Sequence, residues 1–238
     1  MKADTQNINP ALQSLFERPD QTVFLDANFF IPPDRSALGV KPYRFDHFRE
    51  IWLDPLFSEF SGLSVHESVY LELVASSLKQ YADDHTKAEP PRLKIHYDSG
   101  LSTEEQALLN YFIDRLALHS QYDPDRDNAK DRGEVRSLSY MAVKGYLYFA
   151  ANDELPIRLI KEADRLDTGL DDMGIIQMYE LIYYLATTGK YDTKALRLLY
   201  KYQYYLSARD KRVNPEWGIF MQQMDDLYSE QIRKPDTP

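Results

Sequence analysis

The 238-residue chain has no cysteine, only nine glycines, and no apolar run near the ~20 residues that a membrane-spanning helix needs. Without cysteine there is neither a disulfide nor a thiolate metal ligand. The glycines are too scattered to form a phosphate-cradling loop of either nucleotide-binding type. The first residues, Met-Lys-Ala-Asp-Thr-Gln-Asn-Ile, hold no apolar segment of the signal-peptide kind. Positive charge is also short: 28 Lys and Arg stand against 38 Asp and Glu, for a net charge of −10. That argues against a general electrostatic affinity for nucleic acid, since binding phosphates relies on basic side chains. It leaves room for a site of carboxylates with a divalent cation, which reverses the local sign. No serine has the setting of a nucleophile elbow. His85, His96 and His119 lack metal-ligand spacing with one another and read as surface or core residues. Together these absences predict a cytoplasmic protein with no membrane attachment.

What is present is ordinary for a globular chain: 43% hydrophobic and 28% charged residues. The length fits one large domain, or a domain of about 150 residues with an extension. The expected division is 1–190 for the main domain and 191–238 for a helical C-terminal extension packed on it. The 18 tyrosines, crowded toward the C-terminus, are expected to pack cores and interfaces rather than stack on bases. Lys194, Arg197 and Lys201 lie at near-helical spacing and read as solvated helix charge.

Residues 22–31, Thr-Val-Phe-Leu-Asp-Ala-Asn-Phe-Phe-Ile, predict a short buried strand ending at Asp26. A carboxylate at such a strand end must be paired, hydrogen-bonded or metal-bound. Alone it reads equally well as an Asx turn or helix cap. Further short apolar runs follow at Leu63–Val65, Tyr146–Ala151 and Ile175–Tyr179. Between them lie helical patterns: 43–60 interrupted by Pro55, Val69 to Leu78, Leu108 to Leu118 behind a Ser102/Glu105 capping box, and Val135 to Ala142. Residues 79–100 read as an insertion or surface loop, with Lys94–Tyr97 a short extended piece. Helices at 192–206 and 216–230 complete the chain. Strands alternating with amphipathic helices predict an α/β fold, with a mainly parallel sheet between two helical layers.

Two apolar runs end in acids, Asp26 and Asp153, and in a parallel sheet both ends fall on one edge. Glu72, after the second run, and Glu134, beside Gly133 at a helix start, can join them. Converging carboxylates repel and call for a hard divalent cation, Mg²⁺ or Mn²⁺. The chemistry that such a centre supports is phosphodiester hydrolysis. Singly, Glu72 also reads as a solvated helix residue with Glu67 as a rival, Glu134 as a favourable charge at a helix start, and Asp153 as a helix cap.

In order along the chain, Val23-Phe-Leu-Asp26-Ala-Asn28, His66-Glu-Ser-Val69-Tyr-Leu-Glu72, Gly133-Glu134 followed by an Ala142-bearing helix, and Phe149-Ala-Ala-Asn152-Asp153 resemble the four acidic motifs of PIN-domain nucleases. The resemblance spans about residues 22–186. It implies a three-layer α/β/α domain and metal-dependent ribonuclease activity, with Asp26, Glu72, Glu134 and Asp153 around Mg²⁺ or Mn²⁺. In this reading Asp26 and Asp153 bind metal, Glu134 completes the shell or holds its water, and Glu72 orients water or a second ion. Asn28 supports Asp26 or a substrate phosphate, and Asp131 is an additional acid. The implied partners are an RNA substrate, an antitoxin protein if the chain is the toxin of a toxin–antitoxin pair, and a second copy in a homo-oligomer. The chain departs from the pattern in its length, in the 79–100 stretch, in its tail, and in His66, which stands where a small polar residue is usual. A PIN-like binding or scaffold protein without turnover is the rival expectation.

Overall fold

The structure, a computed structural model, describes residues 1–232. The elements run α1 (Pro10–Glu17), β1 (Val23–Leu25), α2 (Phe45–Phe48), α3 (Asp54–Glu59), β2 (Leu63–His66), α4 (Glu67–Glu72), α5 (Ser76–Thr86), β3 (Lys94–His96), α6 (Thr103–Ala117), α7 (Arg132–Lys144), β4 (Tyr148–Ala150), α8 (Glu154–Lys161), α9 (Ala163–Leu166), β5 (Gly174–Ile176), α10 (Met178–Thr187), α11 (Thr193–Tyr204), α12 (Ala208–Val213) and α13 (Trp217–Ile232). The five strands form one parallel sheet in the order β3-β2-β1-β4-β5, flanked by helices, as an α/β/α arrangement requires.

The chain divides into two compact units. A sheet unit comprises Gln21–Ile31 and Ser61–Ile175; a helical unit comprises Met1–Asp20, Pro32–Phe60 and the described residues from Ile176 onward. This division does not run at residue 190. Within the helical unit the tail packs ring against ring: Tyr200 stacks on Phe220 at 4.3 Å, and Tyr183 lies 6.0 Å from Tyr228. Asn214 ties the same unit together, accepting from Ala3 N–H at 2.7 Å and donating to the carbonyl of Tyr204 at 2.8 Å.

In the sheet unit, Val23, Phe24 and Leu25 are all buried, as a central strand covered on both faces demands. β1 pairs in parallel with β2 (Val23 opposite Leu63) and with β4 (Leu25 opposite Ala150). The core beside it gathers Phe24, Leu109, Ile113, Leu138, Phe149 and Leu159. The Ser102/Glu105 capping box opens α6 as expected, and Gly145, at φ +69°, closes α7.

The structure corrects three local expectations. Residues 79–100 are not simply a loop, because α5 runs to Thr86; the extended piece expected at Lys94–Tyr97 is the edge strand β3 (Lys94–His96), paired with β2. The helix expected over Val69–Leu78 is two helices, because α4 ends at Glu72 and leaves Val74 at 85% exposure. Pro55 does not interrupt its helix. A π-helical turn, Arg49–Leu53, leads straight into α3, so the helix continues through Pro55, and the wider turn stands where the proline's missing N–H and its ring break the regular ladder.

Candidate metal centre

The strand order reverses direction between β1 and β4, because the chain first builds outward through β2 and β3 and then crosses to the other side of β1. In open parallel sheets, ligands bind in the crevice that such a reversal opens at the carboxyl ends of the strands. Asp26 directly follows β1, and its N–H continues the ladder by donating to Ala150 O at 3.0 Å. Asp153 stands at the start of α8, three residues beyond β4, and its side chain makes no capping bond to that helix. Glu134 lies in the first turn of α7.

These three carboxylates each offer an oxygen within 4.8 Å of the others'. Asp26 is buried at 3% exposure, Glu134 is partly buried and Asp153 is exposed, so the cluster runs from the sheet edge out to solvent. At this separation each ionised pair repels by roughly 3 kcal/mol at an effective dielectric near 20. Among the described residues no Lys or Arg forms an ion pair with any of the three. Lys130 is paired instead with Asp131, at 3.1 Å.

Among the described residues Glu72 is not in that 4.8 Å group; it lies against the first turn of α7. It is the last residue of α4, where the helix dipole disfavours a negative charge. Its carboxylate lies against Gly133, whose backbone N–H it accepts, in the space that a Cβ there would fill. Burial first, then the charge of Glu134, push Glu72 up to about 7, while Arg132 and the Gly133 bond act against the rise. Asp26 is raised well above the ordinary carboxylate range by burial, then by Glu134 and Asp153, with the Ala27 N–H opposing. Glu134 is raised chiefly by burial, with Asp131 and Asp153 adding to it, while its own backbone N–H and the Lys130 charge act against the rise. Convergence leaves its mark on three separate groups.

Asn28 donates from Nδ2 to Asp26 Oδ2 at 2.5 Å and so orients that carboxylate, while its own Oδ1 is buried without a hydrogen-bond partner. Asp131 has an architectural share. It enters α7 with a left-handed φ of +58°, a conformation that Asp tolerates, and its Oδ2 accepts Gln121 N–H at 2.8 Å. Glu67 is engaged elsewhere, accepting Asp98 N–H at 2.7 Å.

A groove of about 510 Å³ opens from the cluster, lined by Glu134, Asp153, Asp131 and Glu154 together with Lys130, Arg158, His119 and Gln121. Arg158 donates to the carbonyl of His119 at 2.7 Å, which holds the guanidinium at the rim. Nothing in sequence spacing marks Lys130, Arg158 and His119 as neighbours. They come from a loop, from α8 and from the residues just past α6, and only the fold gathers them.

The donor set fits a hard divalent cation. All the ligands are oxygens, their charge is negative and uncompensated by ion pairs, and neither sulfur nor imidazole is among them. Comparison with family models, with curated proteins and with solved structures finds no match for the chain. Among the described residues, no helix is long and apolar enough to cross a membrane.

Proposed function

We propose that the protein is a metal-dependent ribonuclease of PIN-like type, acting in the cytoplasm. The observation that carries the reading is the placement of Asp26, Glu134 and Asp153 within 4.8 Å of one another at the switch point of a parallel sheet, with no cation of the protein's own paired to them. A structural ion-pair network would bring Lys or Arg into such a cluster. Lys130 acts on Glu134 and Asp153 only at a distance and is paired with Asp131, so the cluster retains a cost of several kcal/mol that a bound Mg²⁺ or Mn²⁺ removes. RNA as substrate rests on the resemblance of the four acidic motifs to PIN-domain nucleases. An antitoxin partner belongs to the same proposal.

Asp26 and Asp153 are assigned as the residues that hold the ion, with Glu134 completing the set. When bound, the ion supplies an acidified water and stabilises charge on the phosphoryl oxygens. Asn28 keeps the Asp26 carboxylate turned to its place. Glu72, raised to about 7, is matched to exchanging a proton with water at neutral pH and is assigned that role. Lys130 and Arg158 lie where the phosphates of a chain laid in the groove would pass.

The test is cleavage of a mixed-sequence single-stranded oligoribonucleotide with Mn²⁺, by the wild type and by Asp26→Asn. Cleavage that Asp26→Asn lowers at least 100-fold is expected. Equal rates in the two proteins would sink the proposal, and RNA binding without turnover in the wild type would make the protein a PIN-like binder instead.

A further inference from the structure

A chain of hydrogen bonds, buried at His66 and Ser68 and half-buried at Asp98 and Arg136, is left unused by the nuclease reading. His66, at 0% exposure, closes β2 and caps α4. Its Nε2–H donates to Asp98 Oδ1 at 2.9 Å, which leaves Nδ1 to accept from Ser68, whose hydroxyl lies at 2.7 Å and whose N–H lies at 3.3 Å. The Ser68 hydroxyl also lies 3.4 Å from the carbonyl oxygen of Gly133. At the other end, Arg136 Nη1 donates to Asp98 Oδ2 at 2.9 Å.

One end of this chain is bonded to α7 at Arg136; at the other, the Ser68 hydroxyl, its proton given to His66 Nδ1, lies in contact with the Gly133 carbonyl oxygen, so the two ends meet α7 on either side of Glu134. Its middle, His66 and Ser68, is the start of α4, the short helix that carries Glu72. The arrangement is not a second metal centre, although His66, Glu67 and Asp98 lie close enough together for one. Glu67 already accepts the Asp98 N–H, and Arg136 already balances Asp98. Nor is it a set of core polar groups satisfied locally, since Ser68 and Gly133 are 65 residues apart and Asp98 and Arg136 are 38 apart.

We propose that His66 is a positioning residue: through Ser68 and Asp98 it clamps the start of α4 to the first turns of α7, and so sets Glu72 against Glu134. Its consequence for metal binding rests on the reading of the acids as a metal centre; the clamp itself does not.

Hydrogen exchange over residues 131–138 reads the clamp, and calorimetric titration with Mn²⁺ reads its consequence. Both are run on the wild type, His66→Ala, Ser68→Ala and Asp98→Asn, at a temperature where circular dichroism shows each variant folded. Ser68→Ala removes one hydroxyl and leaves the capping imidazole, so it serves where His66→Ala does not fold. The expected result is faster exchange in α7's first turns and Mn²⁺ affinity weakened about 10–100-fold, the range for groups that orient metal-binding side chains. Asp98→Asn keeps an acceptor for His66 and is expected to lose less. A role in stability alone would lower the melting temperature and leave the affinity of the folded protein unchanged. Wild-type exchange and wild-type affinity in folded Ser68→Ala and His66→Ala would overturn the clamp and leave the nuclease proposal standing. A wild type that binds no Mn²⁺ would overturn the metal reading, and the exchange rates would still decide for or against the clamp.

Discussion

The Glu72 carboxylate occupies the space that a side chain at position 133 would need, and it accepts the backbone N–H of Gly133 there. Glycine at 133 is thus a demand of the site, not of backbone conformation, since the residue lies inside α7. The contact also seats Glu72 beside Glu134 without any ion pair between α4 and α7 at that point.

Gly133→Ala separates these influences. Helix propensity favours alanine by roughly 1 kcal/mol, and the displaced group is the far end of a flexible side chain. Thermal stability is therefore expected to change by about 1 kcal/mol or less, while RNA cleavage falls more than about tenfold as Glu72 is pushed away. Calorimetry and a cleavage assay on one preparation check both halves. A variant with full activity would show that Glu72 need not lie where it does.

The raised carboxyls make stability depend on pH in an unusual direction. For a carboxyl raised on folding, the folded chain binds more protons than the unfolded one. Stability is then full below the unfolded value and is lost as pH rises through the folded value. For Glu72 the window runs from 4.5 to about 7, and Asp26 and Glu134 shift the same way. Metal-free protein is expected to melt lower at pH 8 than at pH 5.5. Asp26→Asn, which removes the most buried charge, is expected to raise the melting point at pH 8 by roughly 2–4 °C per kcal/mol gained at this chain length. A melting curve without metal that is flat from pH 5 to 8 would contradict the convergence of these acids.

Metal should reverse that trend. An ion held only by the folded state adds about 2.7 kcal/mol at 100 times its dissociation constant. Mn²⁺ or Mg²⁺ is accordingly expected to raise the melting temperature more at pH 8 than at pH 5.5, and EDTA to abolish the gain. Differential scanning fluorimetry with and without the ion measures it, with Asp26→Asn and Asp153→Asn as controls that lose the response.

The groove cations are expected to act on affinity, not on turnover. Lys130→Ala with Arg158→Ala should weaken binding of a single-stranded oligoribonucleotide and lower the salt dependence of binding, by about one unit of log–log slope for each lost phosphate contact. Saturated cleavage should stay near the wild-type rate. Fluorescence anisotropy across a salt series reads the slope, and an unchanged slope would take the phosphates elsewhere.

Much of the fold was legible in local pattern. The buried run Val23–Leu25 and the Ser102/Glu105 box each owe their form to neighbours within a few residues, and the structure has both. The edge strand β3 was less legible. Lys94-Ile95-His96 is short and only partly buried, and it is a strand because β2 lies beside it. The break after Glu72 was not legible either, since Leu71 and Val74 fit a helical spacing but face solvent. In the site, the strand-end acids Asp26 and Asp153 could be read from the ends of two apolar runs. The His66–Asp98–Arg136 chain could not, because its members are joined only across the sheet unit.

The sequence by itself determined most of the strands and helices, though not the edge strand β3 or the break after Glu72, and which acids stand at strand ends, because hydrophobic period, caps and breakers act over a few residues. The tertiary structure alone decided the strand order, and with it the reversal beside β1. Strand order is set by how apolar faces far apart in the chain bury one another, and no local pattern carries that. From it follow the three carboxylates within 4.8 Å, the glycine beneath Glu72, and the groove that Lys130 and Arg158 line.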